Sequence, residues 1–272
     1  MTKKIKNAYL IFIDDTKNGI DDTTLEDVEK KIADSEAENL FLIIQSTGGS
    51  PFSAVAIMNF LNTHFSKIFA VVPRYAKSAA TLMSLGTDEI YMCEKSALGP
   101  LDLPIEHHRD GSRISALDVK NTAPSMAALV DSIARDRYKF FRERDVSKLD
   151  SSKLALENAT EFLKPIMQQV DPYHLQKAER ELRIGFWYGM DMLLSRMMKG
   201  DFEKAKNTSE RLVNDFPAHE YSIFTKDAEN LLGLTVKKLT DLSLWKTVLN
   251  AKYTKVSKRS YYIEYGMIDS KE

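Results

Sequence analysis

Short apolar runs alternate with segments of helical periodicity along the first part of the chain. The apolar runs have the length of strands and cover residues 8–13, 39–45, 67–72 and 89–92. Between them, apolar residues recur at the three- and four-residue spacing that is typical of one helix face. Because strands that alternate with helices form a mostly parallel sheet covered by helices, this pattern predicts an α/β fold.

Helix starts in this region are indicated by hydroxyl side chains. Thr23 is followed three residues later by Glu26, which is the spacing of a capping box, so we predict that a helix begins at Thr23. A short helix is also predicted over residues 78–85, behind the strand at 67–72.

After Pro104 the pattern becomes mostly helical. The polar segment 106–113 is predicted to be a loop or a hairpin, and helical spacing dominates the chain that follows. Gly185 and Gly189 interrupt one of these helices, which predicts a close approach of another backbone segment. We expect one domain over residues 1–240, with an α/β first part and a largely helical second half.

Residues 241–272 are predicted to form a basic, tyrosine-rich extension. Four lysines and one arginine, but no acidic residue, lie in 246–259, and a tyrosine-rich apolar segment follows at 260–265. A nucleic-acid patch is one interpretation of such a stretch. We favour a solvated basic face ahead of an edge strand, because the stretch is short and the chain is near neutral.

Composition places the chain among ordinary globular proteins. It has 272 residues, of which 43% are hydrophobic and 28% charged, and its formal net charge is -1. Such a charge gives no general attraction to nucleic acid or to an acidic membrane. The N-terminal apolar run is too short for a signal peptide, and no run approaches the length of a membrane span. We therefore expect a soluble, cytoplasmic protein with no nucleic-acid partner and no membrane span.

The sequence offers little for metal or redox chemistry. A single cysteine, Cys93, excludes an internal disulfide and a cysteine-rich zinc site. His219 begins the segment HEYSI, which lacks the second histidine of the H-E-x-x-H zinc motif. No metal and no cofactor are expected.

Two loops carry the residue types of a catalytic site. The first is Ser46-Thr47-Gly48-Gly49, directly after the 39–45 strand, where paired glycines let the backbone turn sharply and expose its N–H groups. Such groups bind a phosphate or an oxygen that becomes negative during a reaction, and the glycine motifs of phosphate loops do not occur here. The second loop follows the 67–72 strand and ends at Ser78, where the next helix is predicted to start.

The position of Ser78 allows two interpretations. It is only a helix cap if its hydroxyl accepts a hydrogen bond from the helix. It is a nucleophile if the two loops meet, since adjacent parallel strands would place the N–H groups of Gly48, Gly49 and Ala79 around one point. A nucleophile beside an oxyanion hole is what acyl transfer requires, and we adopt this interpretation. The neighbouring Lys77 is expected to point away along the helix start.

Longer segments around both loops resemble a known family. QSTGGSPFSAVAIMNFL and VVPRYAKSAATLMSLGTDEIYMCEKSALGPLDLPI resemble the serine dehydrogenase proteinase family. This family belongs with the Clp protease proteolytic subunit and signal peptide peptidase A in the crotonase-like superfamily. The resemblance continues more weakly through VDPYHLQKAERE and HEYSIFTKDAENLLGL, and it covers about residues 8–236.

The resemblance implies a ββα superhelix, a nucleophile at Ser78 and an oxyanion hole formed by Gly49 and Ala79. It also implies a homo-oligomer. Relatives often carry glycines after the serine, whereas this chain has Ala79 and Ala80. Both side chains are small, so we expect the site to stay open.

The resemblance leaves two candidates for the general base that takes the proton of Ser78. The Clp subunit uses a histidine and an aspartate, and in this chain Asp102 and His219 lie near those positions with the two residue types exchanged. Signal peptide peptidase A uses a lysine, and Lys120 lies at a suitable separation for that arrangement. Histidine titrates near neutrality, whereas a lysine base needs burial to lower its pKa. The histidines at positions 107 and 108 lie in a polar loop and are expected to be exposed.

These patterns predict a serine peptidase that acts on a peptide or protein through an acyl-enzyme on Ser78. Two other functions stay open. An enzyme of the same fold that acts on acyl-CoA thioesters would use the oxyanion hole without the serine. A catalytically inactive oligomeric scaffold would need no base.

Overall fold

The structure is a computed structural model, and it describes residues 6–14, 19–107 and 111–268. Its strands are β1 (Asn7–Asp14), β2 (Asn39–Ser46), β3 (Lys67–Val72), β4 (Tyr75–Ala76), β5 (Glu89–Met92), β6 (Ala97–Leu98), β7 (Pro104–Glu106), β8 (Arg113–Ser115), β9 (Ile223–Phe224), β10 (Val236–Lys238) and β11 (Tyr261–Ile268). Its α-helices are α1 (Asp22–Ile32), α2 (Pro51–His64), α3 (Ala79–Leu85), α4 (Ala116–Arg142), α5 (Lys148–Met167), α6 (Pro172–Ser195), α7 (Phe202–Asn214), α8 (Thr225–Asn230) and α9 (Asn250–Val256). The α/β class with a largely helical second half is confirmed.

The main sheet is built from the predicted apolar strands, which pair in parallel. Over the described ranges, its strand order is β11-β1-β2-β3-β5-β10, in which β11 is antiparallel to β1. A side branch of short strands, β4-β6-β9, joins at the carboxyl end of β2, where Ser46 pairs with Ala76. The branch therefore starts at the twin-glycine loop and leads directly to Ser78 and the helix α3 that follows it.

The central strands are buried on both faces, as parallel strands covered by helices usually are. In β2 every residue after Asn39 is buried, and Leu42 and Ile43 are 0% exposed. This explains why the strand appears in the sequence as a continuous apolar run and not as an alternating pattern. The loops that follow β2 and β3 are consequently anchored in a rigid core.

Helix α1 begins earlier than predicted. The cap is Asp21, whose carboxylate accepts the N–H of Thr24 at 3.0 Å, while the Thr24 hydroxyl accepts the N–H of Asp21 at 3.3 Å. The predicted start at Thr23, with Glu26 as its partner, is wrong. Aspartate competes well as a cap, because its carboxylate is a strong acceptor beside the positive end of the helix.

The chain divides into two compact units, of which the first is Met1–Leu103 with Arg183–Glu272 and the second is Pro104–Leu182. The first unit contains the whole main sheet and its branch. The second contains the β7–β8 hairpin, at the place predicted for a loop or hairpin, and the packed helix pair α4 and α5. Helix α5 buries one stripe at four-residue spacing, which includes Ala155, Ala159 and Leu163.

The tyrosine-rich tail forms part of the first unit. Strand β11 pairs with β1 along its whole length, from Tyr261 opposite Asp14 to Ile268 opposite Asn7. In front of it, Tyr253 is buried and donates its hydroxyl hydrogen to Gln45 Oε1 at 2.5 Å. Strand β11 pairs on one side only within the described residues, which makes it an edge strand. The predicted domain boundary at residue 240 stays a prediction.

Among the helices of the described ranges, none is long and apolar enough to cross a bilayer.

Candidate active site

The twin-glycine loop and the serine turn lie against each other. The Lys77 N–H donates to the Ser46 carbonyl at 3.0 Å. A methyl group on Gly48 would come within 2.9 Å of Ser78 Cβ and 3.0 Å of the Lys77 carbonyl oxygen. Gly48 also has a φ of 116°, which residues with a side chain rarely adopt. Only glycine therefore allows the two loops to approach this closely.

Ser78 has a strained backbone conformation at the start of α3. Its φ of 50° and ψ of -116° lie in a region that glycine populates far more readily than serine. Although Ser78 occupies the N-cap position, its side chain makes no capping hydrogen bond. A strained serine in a sharp turn before a helix is typical of hydrolase nucleophiles. The conformation therefore argues against a mere cap. Ser78 is also largely buried, with 6% of its surface exposed.

Two backbone N–H groups are candidates to bind an oxyanion at the serine turn. The Gly48 carbonyl and the Ser50 N–H both pair with Ile20, at 2.8 and 2.7 Å, so the N–H of Gly49 between them faces away from Ile20. Ala79 is the first residue of α3, where an N–H has no partner inside the helix. Over the described ranges, neither of these two N–H groups donates a hydrogen bond to the protein.

The N–H of Gly48, expected as a third donor, is already engaged. It donates to Ser46 Oγ at 3.1 Å, within its own turn. Gly48 thus shapes the loop and brings it to Ser78, and the donor pair of the candidate oxyanion hole is Gly49 with Ala79.

Thr81 and Gly99 pack against the serine turn and fix its position. The Thr81 hydroxyl lies 2.8 Å from the Ala76 carbonyl oxygen, and its oxygen accepts the Gly99 N–H at 3.0 Å. A methyl group on Gly99 would lie 3.1 Å from the Ser78 nitrogen. The turn is therefore wedged between helix α3 and the segment after β6, which limits its freedom to relax.

His219 and Asp102 form a hydrogen-bonded pair. His219 Nδ1 lies 2.8 Å from the Asp102 carbonyl oxygen and 3.1 Å from Asp102 Oδ1. Both partner atoms accept hydrogen bonds, so Nδ1 carries a hydrogen and Nε2 keeps a lone pair whenever the ring is neutral. The hydrogen bond to Asp102 raises the pKa of His219, while partial burial opposes it. The Asp102 side chain is 1% exposed and that of His219 24% exposed, so the ring stays accessible.

Helices α6 and α7 hold the chain next to Asp102. The Leu101 N–H donates to the Leu212 carbonyl at 2.9 Å. A methyl group on Gly185 would lie 2.3 Å from the Leu101 carbonyl oxygen, and one on Gly189 would lie 2.8 Å from Leu101 Cδ1. The predicted close approach of another backbone segment is confirmed for Gly185, whereas the atoms closest to Gly189 belong to side chains. Both glycines lie against Leu101, the residue before Asp102.

The remaining candidates belong to the second unit, whereas Ser78 belongs to the first. Lys120 lies in α4 and is half-buried. The prediction that His107 is exposed is wrong, because its half-buried ring packs edge-on against that of His174, with 6.0 Å between the ring centroids. His108 lies outside the described residues.

Metal-binding side chains do not cluster over the described ranges, where no group of three or more His, Cys, Asp or Glu residues could hold an ion. Cys93 is a free, half-buried thiol whose Sγ lies 3.2 Å from Ser96 Oγ.

Several residues of the site were not identified from the sequence. Thr81 and Gly99 have no recognisable motif, because their contact joins segments that follow different strands. Lys77 was expected to point along the helix start, but its ammonium group lies against residues 220–222 instead. Nothing in the local sequence indicates this contact, which spans 144 residues in the case of Tyr221.

Two curated relatives come from Methanocaldococcus jannaschii. The uncharacterised protein MJ0137 is 27% identical over 217 residues, which are 78% of this chain and 60% of that protein. The uncharacterised protein MJ1495 is 28% identical over 149 residues, which are 54% of this chain and 44% of that protein. The chain thus spans less than two thirds of the length of each.

Two solved structures with partial similarity are mutants of 1510-N, a membrane-bound stomatin-specific protease. One, in complex with a substrate peptide, is 19% identical, with a TM-score of 0.34, and the match covers 60% of this chain and 73% of that one. The other is 17% identical, with a TM-score of 0.32 and coverage of 53% and 70%.

A family match extends over residues 11–169, which is more than half of the chain. The matched region contains the twin-glycine loop, Ser78, Asp102 and Lys120, and it ends before His219. By this match, the protein belongs to the family of ClpP-like SDH-type serine proteinases.

Proposed function

We propose that this protein is a serine peptidase that hydrolyses peptide bonds through an acyl-enzyme on Ser78. The observation that carries the proposal is the strained turn of Ser78, held against Gly48 with the N–H groups of Gly49 and Ala79 beside it. Strain of this kind costs about 1–3 kcal/mol and persists where function requires the geometry.

In the proposed reaction, Ser78 Oγ attacks the carbonyl carbon of the scissile peptide bond. His219 Nε2 takes the hydroxyl proton, and the carbonyl oxygen, now negative, is bound by the N–H groups of Gly49 and Ala79. When the C–N bond breaks, His219 returns the proton to the leaving amine. A water molecule, deprotonated by His219, then attacks the acyl-enzyme, and Ser78 leaves with its proton restored.

Asp102 has two tasks in this scheme. It accepts the hydrogen on His219 Nδ1, which leaves Nε2 as the basic atom, and its carboxylate stabilises the imidazolium ion that forms when the ring takes the proton. The raised pKa of His219 reflects that stabilisation.

Lys120 is the competing base, since it lies inside the region of the family match. We favour His219 because the hydrogen bond to Asp102 sets its tautomer for proton transfer. A catalytic lysine must reach the serine in the neutral form, so a Lys120→Met variant tests the alternative directly.

The remaining parts of the proposal concern the whole protein. The substrate is a peptide or a protein and no cofactor takes part, as the proposed reaction requires. We also propose that the working form is a cytoplasmic homo-oligomer.

The experiment that tests the proposal is labelling with a fluorophosphonate, which reacts with activated serines. We expect the label on Ser78, identified by mass spectrometry of the tryptic peptide, together with hydrolysis of an unstructured protein such as casein. Ser78→Ala should lose both. Ser84→Ala is the matched control, because Ser84 is a buried serine on α3, the helix that follows Ser78, and its hydroxyl donates to the Ala80 carbonyl at 3.0 Å.

Other outcomes would point to the other functions. A folded protein that takes no label but binds coenzyme A would be an enzyme for acyl-CoA thioesters. A folded protein that takes no label, binds no coenzyme A and forms a stable oligomer would be a scaffold. Either result contradicts the peptidase assignment.

A further inference from the structure

Lys77 connects two parts of the site that are far apart in the chain. Its Nζ donates to the Tyr221 carbonyl at 2.7 Å and to Ser222 Oγ at 2.9 Å, and it lies 3.4 Å from the Glu220 carbonyl oxygen. Its backbone belongs to the serine turn, because its carbonyl accepts the Ala80 N–H at 2.9 Å. One side chain thus links the turn of the nucleophile to the loop at 220–222.

The path of the Lys77 side chain is tightly defined. A methyl group on Gly99 would lie 2.9 Å from Lys77 Cδ, so the aliphatic stem packs directly over this glycine. Ordering a lysine side chain costs about 1.5–2 kcal/mol of conformational entropy. The ordering is offset here by acceptors for all three ammonium hydrogens, two carbonyl oxygens and one hydroxyl.

His219 directly precedes the residues that Lys77 binds. Its ring is held by Asp102, and the chain that follows it is held by Lys77 through Tyr221 and Ser222. One attachment is to the His219 side chain, and the other is to the three residues that follow it. The second attachment ties this loop to the residue next to Ser78 in the chain.

We infer that Lys77 is a positioning residue, which holds the loop carrying His219 at the distance from Ser78 that proton transfer requires. The inference rests on the proposed roles of Ser78 and His219. In this role Lys77 takes no part in the proton transfer itself.

The contacts of Lys77 fit a tether and not a base. A base must direct a nitrogen lone pair at the serine. Lys77 Nζ instead donates hydrogen bonds to carbonyl oxygens and a hydroxyl, which is what a protonated ammonium group does. Burial lowers the pKa of Lys77, and the charge of Glu220 opposes this effect. The charged groups that act on His219 are Asp102 and Glu220, and both raise its pKa.

The test compares Lys77→Met, which keeps the stem and removes the ammonium, with Lys77→Arg, which keeps a charged donor. Lys237→Met is the control, since Lys237 is an exposed lysine on β10. Two quantities are measured in each protein. One is the pKa of His219, from NMR titration of its ring carbon-bound protons, and the other is the rate of fluorophosphonate labelling of Ser78 against pH.

In Lys77→Met the loop is released, so the hydrogen bond from His219 to Asp102 weakens and the pKa of His219 falls. Removing a positive charge would by itself raise that pKa, so a fall identifies lost positioning. The labelling rate should drop at least tenfold, since small displacements of catalytic groups cost roughly 10- to 100-fold. Lys77→Arg should recover part of both effects, and Lys237→Met should show neither.

An unchanged or higher pKa of His219 in Lys77→Met would overturn the inference. A second result would also overturn it. If the labelling rate of Ser78 no longer depends on pH in Lys77→Met but still depends on pH in His219→Ala, then Lys77 is the base. If the unaltered protein takes no label on Ser78, the peptidase proposal fails, and the NMR titration still decides whether Lys77 positions His219. Should Lys77→Met not fold, Lys77→Gln is titrated in its place.

Discussion

A methyl group on Gly48 would lie 2.9 Å from Ser78 Cβ, although the two residues belong to loops that follow different strands. Real Cβ atoms do not approach each other so closely, so any side chain at position 48 would push the serine turn away. The contact joins the turn of Gly49, whose N–H is proposed to bind the oxyanion, to the turn of Ser78, the proposed nucleophile.

Gly48→Ala should therefore impair both stability and reactivity. We expect a loss of about 1–3 kcal/mol in the free energy of unfolding, from the clash and the positive φ, and a fall in Ser78 labelling of roughly 100-fold. Gly200→Ala is the control, because Gly200 has a φ of 86° with nothing within 4 Å of the added carbon. Urea denaturation and labelling rates measure the two effects. Normal labelling in Gly48→Ala would contradict the assigned contact.

Replacing Ser78 should reveal the strain in its backbone. Glycine at position 78 accepts the φ of 50° freely, whereas alanine retains the strain. We expect Ser78→Gly to exceed Ser78→Ala by about 1 kcal/mol in the free energy of unfolding, although glycine gains more entropy in the unfolded chain. Neither variant should react with the fluorophosphonate. A Ser78→Gly variant that is less stable than Ser78→Ala in chemical denaturation, by the about 0.4–1 kcal/mol that glycine loses through the entropy of the unfolded chain, would show that the turn is not strained.

The labelling of Ser78 should increase with pH through the pKa of His219, because only the neutral ring accepts the proton of the serine. Asp102 raises that pKa above its ordinary value of 6.5, so the midpoint of the profile should lie above this value. Asp102→Asn should lower both the midpoint and the plateau, the latter by roughly 100-fold or more. Lys120→Met should leave the profile unchanged. A profile that depends on Lys120 and not on His219 would support the lysine alternative.

Protonated His219 should also contribute to stability. Its pKa in the folded protein is raised, so the stabilising contribution is complete below about pH 6.5 and is lost as the pH rises through the folded pKa. The difference in free energy of unfolding between the unaltered protein and His219→Gln should accordingly shrink between neutral and alkaline pH. Urea denaturation across this range measures it, and a difference that grows with pH would contradict the raised pKa.

Local patterns were sufficient for the core strands and the serine turn. Burial on both faces makes β2 and β3 continuous apolar runs. The glycines and the serine of the loops after them are visible in the sequence, although the contact that requires Gly48 is with Ser78, on another loop. The predicted start of α1 at Thr23 was wrong, although a cap is also a local feature. Asp21 and Thr23 both offer capping oxygens, and only the folded backbone selects one of them.

The side chains that we propose to act with Ser78 depend on contacts between distant segments. His219 and Asp102 are 117 residues apart, and Lys77 reaches a carbonyl 144 residues further along the chain. Such pairings leave no periodicity in the sequence, because they arise when β6 and β9 bring their flanking loops together in the branch of the sheet. The residue types of the proposed hydrolase site were therefore visible in the chain, whereas the pairing of His219 with Asp102 and the contact of Lys77 with residues 220–222 required the packing of the side branch.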